Sequence, residues 1–169
     1  MVRKVIYTAA HGGFSGQPLP LGGGAAVFEQ LVQEWSRTRP FALETITPAI
    51  LGEQAPAGPD LIGYSESAYA AFCREFEAAA TARILDENPA DTVVLCNDVS
   101  EGPDFERLRK RGFRIFTIYH VDVVDYVASI YARGWFRPET LTRWYERLEW
   151  AAPSILRLVF RKQRDSVIH

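Results

Sequence analysis

Five consecutive residues, Thr92-Val93-Val94-Leu95-Cys96, are apolar or β-branched, and the polar pair Asn97-Asp98 follows at once. Successive side chains of a strand point to opposite faces, so a run without polar alternation has to be covered on both. Helices on both faces of a parallel sheet meet that requirement. The rest of the chain supplies matching pieces. Val5 to Ala10 is a short β-rich run and reads as a buried strand. Phe41 to Thr47 alternates apolar and polar residues, and Arg114 to Tyr119 is a further strand-like run.

Helical patterns separate these runs. A helix opens near Ala25, with Val27, Phe28, Leu31, Val32 and Trp35 on one face, and must end before Pro40. Ser65 suits a helix cap, and Tyr69, Phe72, Cys73, Phe76, Ala80 and Ile84 form an apolar stripe that runs out near Pro89. Pro103 to Arg111 is a short basic helix with Gly112 as its stop, and its arginines read as a solvated face. Pro138 suits the first turn of a last helix bearing Leu141, Trp144, Tyr145 and Leu148, which Pro153 interrupts. Two stretches carry too much glycine and proline for regular elements, His11 to Gly24 and Pro48 to Tyr64. Strands alternating with helices predict an α/β fold, a Rossmann-like three-layer domain with a mainly parallel sheet. With 169 residues, the expected organisation is a single domain over 1–169.

Apolar residues make up 47% of the chain and net charge is −2, so it is globular in type and exerts no global pull on nucleic acid or anionic membrane. No apolar run approaches the roughly 18 residues of a membrane span, and the start, Met1-Val2-Arg3-Lys4, lacks a secretory apolar stretch. The expected location is the cytoplasm. Cys73 and Cys96 fall on apolar positions and read as buried packing residues, with no spacing for a disulfide framework or a metal.

Ligands of parallel sheets bind beyond the C-terminal strand ends, and three groups fall there. Gly22-Gly23-Gly24 immediately precedes a helix, whose free amides favour an anion; the alternative is a flexible helix start. The spacing matches neither a dinucleotide fingerprint nor a P-loop. His120 ends a strand, where imidazole can move a proton or bond a sugar hydroxyl or phosphate, or simply cap the strand. Asp122 either orients that ring or caps the next segment. Asn97-Asp98 either binds hydroxyls or forms an Asx turn. His11 lies among glycines that would leave it exposed, which makes it a weaker candidate. Trp135, Trp144, Trp150 and Phe136 divide between core and a surface for sugar stacking or for another domain.

Taken in order, these features resemble the N-terminal domain of GT-B glycosyltransferases, the large retaining family called family 4 or group 1. The resemblance rests on the loop His11-Gly12-Gly13 through Gly22-Gly23-Gly24, the helix Ala25 to Trp35, Val93 to Asp98, and Thr117-Ile118-Tyr119-His120-Val121-Asp122. It implies one half of a GT-B fold, the acceptor-side domain of a nucleotide-sugar-dependent, retaining glycosyltransferase. Gly22, Gly23 and Gly24 would approach the donor phosphates and the acceptor, and His120 the transferring sugar. Asn97, Asp98 and Asp122 complete the expected substrate-binding set; family histidines are often followed directly by aspartate, whereas Val121 intervenes here. The ligands implied are a nucleotide sugar and an acceptor, with no cofactor, no metal and no nucleic acid. The donor-binding half has no room in 169 residues, and Ser166-Val167-Ile168 reads as the opening of a further strand, so a missing C-terminal domain or partner chain is expected and the chain alone should be inactive. Two alternatives stand beside this: another GT-B enzyme such as a sugar-nucleotide epimerase, and a non-catalytic Rossmann-like binding or partner module.

Overall fold

The computed structural model describes residues 2–14, 23–39, 41–57, 61, 63–98 and 101–119, together with positions 135, 137, 139, 140, 143, 144 and 147. The chain divides into two compact units, Met1–Ile118 and Tyr119–His169. Among its described residues the first unit has four strands, β1 (Lys4–Thr8), β2 (Ala42–Ile46), β3 (Thr92–Cys96) and β4 (Arg114–Thr117). Its α-helices are α1 (Gly23–Thr38), α2 (Glu66–Leu85) and α3 (Phe105–Lys110). The strands form one parallel sheet in the order β2-β1-β3-β4. Ile6 pairs with Glu44 on one side and Val94 on the other, and Val94 pairs with Ile115.

Both faces of the central strands are covered, as the apolar run of β3 requires. On one face Ile6, Ala10, Ile46 and Val94 pack with Phe72, Cys73, Phe76, Ala80 and Ile84 of α2 and Leu108 of α3. On the other, Tyr7 and Ala9 pack with Phe28, Leu31, Val32 and Trp35 of α1, and the Tyr7 ring centroid lies 4.8 Å from that of Phe28. The fold is therefore α/β, with a parallel sheet between two helical layers in the Rossmann-like manner. Local signals act as expected at the helix starts. The Ser65 hydroxyl accepts the Ala68 amide at 3.3 Å, and the Asp104 carboxylate accepts the Arg107 amide at 2.9 Å. The stripe on α2 is also where expected, and that helix stops at Leu85.

The connection after β2 is more ordered than its glycines and prolines suggest. Pro48–Gln54 forms a 3-10 helix, kinked at Gly52. Pro48 is preset for a first turn, and Ile50 and Leu51 gain burial against the α2 side of the core. At the N-terminal edge of the sheet, Lys4, Glu44, Arg83 and Glu87 form a closed ion network. Lys4 Nζ meets Glu87 at 2.9 Å, and Arg83 meets Glu44 at 2.7 Å and Glu87 at 2.6 Å. The hydrogen bonds from Lys4 and then Arg83 hold the Glu87 carboxyl below its ordinary pKa. The network ties β1, β2 and α2 together.

Two glycines at the exit from β1 are required by geometry. Gly13 has a φ of 76° and lies against the Thr47 side chain. Gly12 is buried, and a Cβ there would overlap the Phe28 ring. Gly12→Ala should therefore push Phe28 off its packing with Tyr7 and lower unfolding free energy by about 1–3 kcal/mol. Urea denaturation reads this directly, and an unchanged midpoint would show that the ring has room to move.

Candidate functional site

The order β2-β1-β3-β4 reverses direction between β1 and β3, because the chain goes from β1 to one side and then returns to the other. In such sheets the crevice beyond these two strand ends is the usual ligand position. Polar side chains from four segments meet there.

Asp98, just past β3, reaches across to the exit from β1. Its Oδ2 accepts the Ala10 amide at 3.0 Å and the His11 amide at 3.4 Å. Its Oδ1 lies 3.6 Å from His11 Nδ1, an ion-pair distance. The Asp98 side chain is 10% exposed and that of His11 27%. The other ring nitrogen, Nε2, is 3.0 Å from the hydroxyl of Tyr69, which comes from the first turn of α2. The same hydroxyl donates to Glu101 Oε1 at 2.9 Å. The His11 and Tyr69 rings are nearly parallel with centroids 6.1 Å apart, and Tyr69 rests on Phe72 beneath. The result is a continuous polar chain, Asp98–His11–Tyr69–Glu101, partly open to solvent.

Asn97 serves the scaffold. It is fully buried, accepts the Tyr7 hydroxyl at 2.6 Å, and donates through Nδ2 to the Gly24 carbonyl at 3.0 Å. Its backbone amide donates to the Thr8 carbonyl at 2.9 Å. One side chain thus fastens the first turn of α1 to the end of β3 and satisfies a buried tyrosine.

Electrostatics follow from this packing. Burial alone would push the His11 pKa down, but the neighbouring Asp98 carboxylate, and then the charge of Glu101, leave it raised above 6.5. Burial, followed by the Glu101 charge, pushes Tyr69 far above the ordinary phenol range, so it stays a donor. Tyr7 is raised in the same way by burial and then Asp98. The Cys96 thiol is pushed up to about 12, chiefly by burial, and donates to the Asp98 carbonyl at 3.2 Å. It is no nucleophile at neutral pH.

Of the residues expected to form a site, Gly23 and Gly24 open α1, Asn97 joins that turn to β3, and Asp98 enters the polar chain. Gly22, His120 and Asp122 lie outside the described residues, as do Phe136 and Trp150. His11 is shielded rather than exposed among its glycines. The covering side chain, Tyr69, lies 58 positions away, and sequence spacing does not reveal such a contact. Position alone was a usable signal, since His11 is the first titratable residue beyond β1. Tyr69 reads as one more member of an apolar stripe, and nothing in the sequence marks Glu101. Among the described residues, no group of three or more His, Cys, Asp or Glu side chains could hold a metal ion, and no helix is long and apolar enough to cross a membrane.

No protein-family model, curated protein or solved structure matches the chain. The geometry at the β1–β3 crossover therefore has to carry any functional assignment.

Two expectations follow. Asn97→Ala would leave the buried Tyr7 hydroxyl without its acceptor and should cost about 1–3 kcal/mol; the Gly24 carbonyl, inside α1, keeps its helical bond and adds little. A denaturation midpoint equal to the parent's would show that other groups replace it. The raised His11 pKa makes protonation favour the folded state. Its contribution to stability is fully present below about pH 6.5 and is lost as pH rises through the raised value. Unfolding midpoints from acid to alkaline pH should show this decline, and His11→Asn should flatten it.

Proposed function

We propose that the chain is the acceptor-side domain of a nucleotide-sugar-dependent glycosyltransferase. The observation that carries this is the polar chain Asp98–His11–Tyr69–Glu101 at the crossover of a parallel sheet. It offers carboxylate, imidazole and hydroxyl groups within one crevice, a set suited to binding the hydroxyls of a sugar or other polyol acceptor. The start of α1 supports the same reading. Asn97 draws Gly24 to the end of β3, so the helix start lies at the strand edge where the resemblance expects donor phosphates. There the amides of Gly22, Gly23 and Gly24 would meet negative charge on the departing diphosphate. In the transfer, the acceptor hydroxyl oxygen bonds to the anomeric carbon, the diphosphate leaves with the electrons of the old bond, and the hydroxyl proton passes to a phosphate oxygen of that leaving group. The resemblance alone assigns contact with the transferring sugar to His120 and a substrate-binding role to Asp122. Retention of configuration comes from the resemblance alone, as does a donor-binding half supplied by another domain or chain.

A second reading, a non-catalytic module that docks onto a partner, is favoured by Trp135 and Trp144, which are 81% and 52% exposed. The deciding experiment supplies the whole gene product with nucleotide sugars and polyol acceptors and follows nucleoside diphosphate release. Acceptor-dependent release supports transfer. An altered nucleotide sugar formed without acceptor would identify an epimerase instead, and neither activity alongside a bound partner protein would favour the docking module. In an active enzyme, His120→Ala should lower turnover at least about 100-fold while barely moving the melting temperature. Unchanged turnover would remove His120 from the site.

A further inference from the structure

The hydrogen bonds around His11 have a direction. A carboxylate only accepts, so the single proton of the Tyr69 hydroxyl is committed to Glu101 Oε1 at 2.9 Å. The Tyr69 oxygen then faces His11 Nε2 at 3.0 Å as an acceptor, which requires a proton on Nε2. At the opposite nitrogen, Nδ1 faces the Asp98 carboxylate at 3.6 Å, where a bare lone pair would be repelled and an N–H attracted. Each side of the ring therefore asks for a proton. Among the described residues, the charged and titratable groups that face His11 are Asp98 after β3, Tyr69 from α2 and Glu101 before α3, and both carboxylates act in the same sense.

We propose that Glu101, acting through the Tyr69 hydroxyl, fixes His11 as a doubly protonated imidazolium. Tyr69 and Glu101 are then positioning residues, and His11 is the group they set. An imidazolium held in this way donates to a substrate oxygen and takes no proton from one. Where a ligand oxygen enters the crevice, it competes with Tyr69 for the Nε2 proton. This role in a reaction rests on the glycosyl-transfer reading, but the protonation state does not.

The test is long-range proton–nitrogen NMR of the histidine side chains in the intact chain, titrated from acid to alkaline pH. His11→Asn assigns the signal. The expected result is that both His11 nitrogens remain protonated at about pH 7, where an ordinary histidine is mostly neutral. Tyr69→Phe removes the acceptor at Nε2, and Glu101→Gln removes the charge behind it. Each should lower the His11 midpoint by about one pH unit, and the Glu101→Gln effect should shrink once the Tyr69 hydroxyl is gone. A neutral ring at that pH in the wild-type chain, with either nitrogen bare, overturns the proposal, and this readout needs neither Tyr69→Phe nor Glu101→Gln to fold. Equal Glu101→Gln effects with and without the hydroxyl overturn the route through Tyr69.

Activity gives a separate readout. In a transferring enzyme, a donor role for His11 keeps turnover high below the His11 midpoint and loses it above; a base role gives the reverse profile and overturns the donor role. If the gene product transfers no sugar but the ring stays doubly protonated, the transfer reading fails and the imidazolium stands. Transfer with a neutral His11 does the opposite.

Discussion

Everything at the candidate site depends on the parallel pairing of β1 with β3. Their residues run in register from Lys4 opposite Thr92 to Thr8 opposite Cys96. Tyr7 and Asn97, 90 positions apart in the chain, can then share a hydrogen bond, and Asp98 can cap the amides that follow β1. Burial of both strands on both faces holds this pairing in place, because moving either strand by one residue would turn Ile6 or Val94 toward the wrong helical layer.

The two ends of the sheet use charge differently. At the N-terminal end, two cations and two carboxylates close on one another, and every charge has an opposite neighbour. At the C-terminal end, among the described residues, one histidine lies with two carboxylates, so negative charge is in excess there. The first arrangement serves cohesion. The second leaves hydrogen-bonding capacity and a field at the place where a parallel sheet exposes its amides and carbonyls to a ligand.

The fold was largely legible because its signals are local. The unbroken apolar run of β3, the Ser65 cap, the stripe on α2 and the stop before Pro40 each depend on residues within a few positions of one another. The 3-10 helix after β2 was hidden because glycine and proline mark a break in an α-helix without excluding tighter turns, and its burial against α2 decides the matter. The site was legible only by position. Asn97 and Asp98 stood out as polar residues at a strand end, but a sequence does not show that one would be spent on Tyr7 and Gly24 while the other met His11. Tyr69 shows the limit most clearly. Its ring belongs to the stripe, as its spacing says, and its hydroxyl belongs to the site, which only the closed fold brings about.

The close approach of Gly12 to the Phe28 ring also bears on how such a chain can diverge. Gly12 is not free to drift while the ring stays. A lineage that keeps the phenyl ring is bound to glycine beside it, whereas one that first shrinks the ring to a small aliphatic side chain releases the neighbouring position for any compact residue. The two sites should therefore vary as a pair, in that order, and their joint pattern would be a fingerprint by which distant kin could be recognised even where little else in the alignment survives.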